Sequence, residues 1–219
     1  MSFEIKPVFA VPFAQDFHPA PDALNASLKS LLLARETEGA KYANPNPSLR
    51  QQPGVFESDF NLFSWPDRCI QELREFAWTA LARTIQELNG YTAEQMRSMQ
   101  IFSHTWYHVT RHGGFTIAHT HPMASWSGVY CVAPGETPED HPESGVLRFH
   151  NPHFYSNVFL DPGNARLRAP FHHGTWSVQF KAGQLVLFPS WLQHEVLPFY
   201  GRDERITIAF NCWFGTNGP

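Results

Sequence analysis

The sequence predicts a mainly β fold with flanking α-helices, an antiparallel sandwich or barrel whose helices pack on the outside. Three observations carry that reading. Two amphipathic helical stripes occupy residues 1–98; after Met99 the apolar residues fall into short runs, several of them alternating; and Gly and Pro punctuate those runs at Gly113-Gly114, Pro134-Gly135, Asp161-Pro162-Gly163, Ala182-Gly183 and Gly201. Apolar residues make up 42% and aromatics 15% of 219 residues, with 19 Phe and 7 Trp, which suits one packed, β-rich core. The expected organisation is a single domain, 1–219, in which 1–98 supply an N-terminal strand and helical support and 99–214 form the β core.

Residues 3–13, broken by Pro7 and Pro12, suit an edge strand. Over 21–38, Leu24, Leu28, Leu31 and Leu32 fall on one helical face and Gly39 offers a stop. Residues 41–64 are rich in turn formers, including Asn44-Pro45-Asn46-Pro47 and Pro53-Gly54, and read as loop. A longer helix is expected over 66–88, with Ile70, Leu73, Ala77, Leu81, Ile85 and Leu88 as its apolar stripe and Asn89-Gly90 as its end. Nothing in the polar positions of either helix suggests chemistry, so both read as scaffold. Short strands are expected at 101–110, 125–132, 146–150, 176–180, 184–188, 195–199 and 205–214.

Charge and cysteine usage exclude several classes. Sixteen basic against 20 acidic residues give a formal charge of −4 without a basic stripe, so a nucleic-acid partner is not expected. Cys69, Cys131 and Cys212 are far apart, lack a CxxC spacing, and read as free thiols in a reducing compartment. The start at Met1 has no signal-peptide pattern and no apolar run is long enough to span a bilayer. A cytoplasmic location without membrane attachment is the expectation.

The chemistry concentrates in the β half, where most of the 12 histidines crowd between His104 and His194. His119 and His121, spaced i, i+2 on extended backbone, point to one side, and imidazole is the commonest metal-ligating side chain. Alone, the pair reads equally well as two surface histidines in a loop. His194 stands at the mouth of a later strand. Arg205 opens another, on whose one face lie Arg205, Thr207, Ala209, Asn211 and Trp213, with Ile206, Ile208, Phe210, Cys212 and Phe214 on the other. A guanidinium with a hydroxyl two residues along the same face makes a fork for a carboxylate. The bland alternative leaves Arg205 in solvent, paired with Glu204 or Glu195. His104, Trp106 and His108 share a face of the first core strand and read as core or rim residues with satisfied ring nitrogens.

The order HxH, strand, distal His, then Arg-x-Thr resembles the Fe(II)- and 2-oxoglutarate-dependent oxygenases over roughly residues 101–214. The resemblance is closest to a bacterial group with an HxH, a Ser-Gly-Val-Tyr strand (Ser127 to Tyr130) and a Phe-Pro-Ser tail (Phe188 to Ser190) followed by His and Arg. It implies a double-stranded β-helix, jelly-roll or cupin-like, and an oxygenase, a hydroxylase in the first instance, acting on a small molecule or peptide with O2 and 2-oxoglutarate. By position it implies metal ligation by His119, His121 and His194, and co-substrate anchoring by Arg205 and Thr207, with Asn211 as a further contact. A homodimer is compatible with it. Two departures stand out. The family pattern has a carboxylate two residues after His119, where this chain has His121. It also often has a tyrosine near the position of Cys131. Three neutral imidazoles also suit Zn(II) or Ni(II), and three-histidine cupin dioxygenases work without 2-oxoglutarate, so that class and a non-catalytic metal-binding module are the alternatives. A carboxylate from the acidic loop 136–143 is a further candidate ligand.

Overall fold

The computed structural model describes residues 3–47, 54–153 and 159–216. Leucines three and four apart give α1 (Pro21–Thr37) one apolar face, on which Leu24, Leu28 and Leu32 are buried and Leu31 is half-buried. In α2 (Arg68–Asn89) the buried stripe is Ile70, Leu73, Ala77, Leu81 and Ile85, and Gly90 closes the helix in the left-handed region with φ of 68°. Leu88, expected in that stripe, is exposed in the last turn, where burial has already ended. Arg35 near the end of α1 pairs with Asp67 at the start of α2 at 2.6 Å and lies over the Trp65 ring, which ties the two helices together. A short α3 (Ala93–Ser98), absent from the sequence reading, is fixed by a capping box between Thr92 and Gln95.

The strands are β1 (Ala14–Phe17), β2 (Val55–Glu57), β3 (Met99–Thr110), β4 (Thr116–His119), β5 (Trp126–Ala133), β6 (Leu147–His150), β7 (Thr175–Val178), β8 (Gln184–Pro189), β9 (His194–Val196) and β10 (Arg205–Thr216). The edge strand expected at 3–13 begins only at Ala14, past Pro12, because proline cannot donate to a ladder. The expected loop 41–64 contains β2, whose three residues are too few to show a period; residues 48–53 of that loop lie outside the described residues. The strand expected at 195–199 is shorter and starts at His194.

Two antiparallel sheets result, in the orders β1-β8-β5-β10-β3-β2 and β4-β9-β6-β7. One face of the larger sheet, with Tyr107, Val109, Ile206, Ile208 and Phe210, shares a buried cluster with both long helices. The Tyr107 hydroxyl donates to the Leu32 carbonyl and the Tyr130 hydroxyl to Asn25 Oδ1, so α1 is fastened to the sheet at two points. The second cluster lies between the sheets: Cys131, Val186 and Phe188 from the larger, Leu147, Phe149 and Val178 from the smaller. Among the described residues no ladder joins the two sheets, so the architecture is an open sandwich and not a closed barrel. No helix of the described residues is long and apolar enough to cross a membrane.

Gly128 on β5 lies opposite Phe210 on β10, and a Cβ there would stand 2.2 Å from the Phe210 ring. The bare backbone is what lets that ring lie against the strand. Gly128→Ala is therefore expected to lower unfolding stability by about 1–3 kcal/mol, read as a lower urea midpoint at unchanged m-value. A midpoint equal to wild type would show that the ring has room to move.

Candidate metal centre

β4 and β9 pair so that His119 stands directly opposite His194. His121 follows two residues beyond the end of β4, its backbone N–H held by the Ser190 carbonyl at 2.9 Å. The three rings converge: their centroids are 4.4 Å apart for His119 and His194, 4.8 Å for His119 and His121, and 5.2 Å for His121 and His194. One ring nitrogen from each lies within 4.8 Å of the others. His119 Nδ1 is 2.7 Å from the Ile117 carbonyl and His194 Nδ1 is 2.8 Å from the Leu192 carbonyl. A carbonyl only accepts, so each Nδ1 carries the hydrogen and each Nε2 keeps a bare lone pair, the form that ligates a cation. Burial, reinforced by mutual repulsion, lowers the His194 pKa to about 3 and that of His121 to about 4, and burial also lowers that of His119. Three neutral nitrogen donors aimed at one point fit a borderline divalent metal such as Fe(II), Ni(II) or Zn(II). The acidic loop 136–143 contributes nothing to this group, and its Glu143 pairs with Arg148.

The histidines open into a cavity of about 340 Å³, also lined by Arg205, Thr207 and Asn211. Arg205 is 3% exposed. The solvent ion pair considered above does not form: Glu204 pairs with Lys29, and Glu195 with Arg148 and His150. Among the described residues no carboxylate pairs with Arg205. Its stem passes Gly145, where φ is 64° and a Cβ would meet Arg205 Cδ at 2.8 Å, and the guanidinium lies 5.8 Å from the Phe180 ring centre. Thr207 is equally buried, on the same side of β10. Asn211 Oδ1 accepts from the Ser127 hydroxyl, so its carbonyl end serves the structure and its amide NH2 is the end left for a ligand. Cys131 is fully buried between the sheets, its thiol pushed up to about 12 by burial.

The sequence reading missed one polar element of the wall. Glu57, on the three-residue β2, accepts from Asn44 Nδ2 at 2.6 Å and lies 2.9 Å from His108 Nε2. It is the one buried carboxylate of the described residues. Burial alone would raise its pKa, but the hydrogen bond and charge of His108, with Asn44, hold it below the usual range. Beside it Trp106 lines the cavity 6.0 Å from the His121 ring, with a buried indole N–H that has no partner among the described residues.

Residues 104–211 match the family described as "Putative 2OG-Fe(II) oxygenase". Among solved structures the chain is similar to a prolyl-4-hydroxylase of Pseudomonas putida, at 22% identity and a TM-score of 0.59 over 92% of each chain. A prolyl hydroxylase of Trichoplax adhaerens, solved with a hypoxia inducible factor peptide fragment, is 14% identical with a TM-score of 0.60, over 92% of this chain and 83% of that one. HygX of Streptomyces hygroscopicus, solved with nickel, 2-oxoglutarate and hygromycin B, is 12% identical with a TM-score of 0.57, over 95% and 84%. No curated protein sequence matches the chain.

The lowered histidine pKa values fix a sign. In the unfolded chain these imidazoles take up protons near pH 6.5, whereas in the metal-free fold they resist until about pH 4 or 3. Their contribution to stability is whole above about pH 6.5 and is lost as pH falls towards 4. The Tm of EDTA-treated protein should drop across that window, and His121→Gln should flatten the drop. An unaltered slope in the variant would assign the pH dependence to other groups.

Proposed function

From the match of residues 104–211 to the family described as "Putative 2OG-Fe(II) oxygenase", we propose that this chain is a non-haem Fe(II)- and 2-oxoglutarate-dependent oxygenase, a hydroxylase built on a double-stranded β-helix. In this reading residues 1–98 support a core at 99–214. His119, His121 and His194 hold the metal, and Arg205 and Thr207 hold the distal carboxylate of 2-oxoglutarate, with Asn211, further along the same face of β10, as an additional contact. Bound Fe(II) supplies O2 activation coupled to oxidative decarboxylation of the co-substrate. The chain's own residues present three neutral nitrogens, orient the co-substrate and exclude water from it. The three free thiols suit a cytoplasmic setting.

The observation that carries the reading is Arg205, a cation buried in the cavity of the three histidines with no carboxylate paired to it among the described residues. Such a charge is costly until an anion meets it, and a guanidinium flanked by a hydroxyl receives a carboxylate well. A second reading draws on His121: a ligand set without a carboxylate also suits a three-histidine dioxygenase that does not use 2-oxoglutarate. That class has no need of Arg205. For the prime substrate, the neighbours span a peptide fragment and hygromycin B. We assign its place to the wall formed by Phe60, His104 and Trp106, away from Arg205.

With Fe(II) under anaerobic conditions, 2-oxoglutarate is expected to raise the Tm in the manner of a ligand selective for the native state. Arg205→Ala should abolish that rise and leave metal binding intact, while His194→Ala should remove both. Thr207→Val should weaken 2-oxoglutarate binding by about 1 kcal/mol, the worth of one hydrogen bond. No rise with millimolar 2-oxoglutarate on the metal-loaded wild type would favour the three-histidine dioxygenase instead.

A further inference from the structure

The three histidines are not equivalent. His119 and His194 are cross-strand partners, and each is locked in one tautomer by the carbonyl two residues before it. His121 lies outside the ladder, and its ring makes no hydrogen bond to a described residue. Its centroid is 5.2 Å from that of His194, against 4.4 Å between the locked pair. Behind it lies room: His121 also lines a groove of about 180 Å³ formed with Thr120, Met123, Asn211 and Trp213, and Met123 is 88% exposed.

We infer that His121 is the exchangeable ligand of the centre, a side chain that can leave the metal by turning into the groove beside Met123 and Trp213. The inference rests on the metal-centre reading above and adds to it a division of labour. Support for a ligating imidazole through its second nitrogen fixes ring orientation and raises donor strength, and its loss typically costs about 10–100-fold in metal affinity. Two ligands have that support and the third has none. With His121 turned out, its nitrogen would no longer be a ligand, water or a substrate atom would take the position, and no electron or proton would be transferred. The site then works as a fixed two-histidine clamp with one conditional arm.

Co(II) titration of the metal-free full chain, read by visible absorption, tests this. His121→Ala should weaken Co(II) binding by about tenfold or less, whereas His119→Ala and His194→Ala should weaken it by about 100-fold or more. Added imidazole should restore the wild-type spectrum in His121→Ala. Melting of the metal-free variants near the wild-type temperature separates a lost ligand from a lost fold. As a measurement free of substitution, 15N shifts of the metal-free wild type should show His119 and His194 as single Nδ1–H tautomers and His121 as a mixture. Equal losses in all three variants, or one fixed tautomer at His121, would overturn the inference alone. A wild type that binds no Co(II) would overturn the metal-centre reading and this inference with it.

Discussion

The period of two along β10 is the constraint on which the rest depends. This strand pairs with β3 across all twelve of its residues and with β5 along much of its length. Ile206, Ile208, Phe210 and Cys212 are buried on the helix side, and Arg205, Thr207 and Asn211 line the cavity on the other. A slip of one residue would drive a guanidinium into the core beneath the helices and expose isoleucines to the cavity, so burial on one face locks the register. Stability and site are the two sides of one strand.

The charge balance of the cavity follows from the same placement. The neutral imidazoles bring no negative charge to a metal, and Arg205 adds a positive one. Glu57, the buried carboxylate of the wall, already accepts from Asn44 and adjoins His108. A cation held by three histidines therefore faces a cavity with little negative charge to spare, and a dicarboxylate that chelates the metal at one end and meets Arg205 at the other would correct that imbalance.

Much of the site was legible in the sequence because strand alternation states directly which residues share a face. Alternation put His119 with His121 and Arg205 with Thr207, whereas the joining of His194 to the first pair was carried by the order of the motifs and the family resemblance that the order implies. The burial of Arg205 was not legible, since a strand-opening arginine beside Glu204 fits a solvent pair equally well; the answer came from Lys29 on α1, which takes Glu204 instead. Glu57 was hidden for a different reason. Three residues in a turn-rich stretch carry no periodicity, and their strand exists only because β3 offers an edge to pair with. The two long helices read well apart from Leu88, where the apolar pattern continued past the point at which burial stops, while the six-residue α3 was too short to show a pattern. Pro12 set the start of β1 more strictly than the apolar content of residues 3–13 suggested.

The position of β10 also bears on how the chain acquires its fold. Among the described strands it comes last in sequence order, yet it lies in the middle of the larger sheet, between β5 and β3. While residues 205–216 are still to be synthesised, β3 and β5 have no shared neighbour, and each presents an open edge with its backbone donors and acceptors bare. The helical cluster is equally incomplete, lacking Ile206, Ile208 and Phe210. Assembly of this sheet is thus dominated by non-local pairings that close late, the arrangement that folds slowly and leaves sticky edges exposed on the ribosome. A nascent chain halted before Arg205 would already contain His119, His121 and His194 but would lack the central strand that joins β3 to β5 and carries the buried arginine.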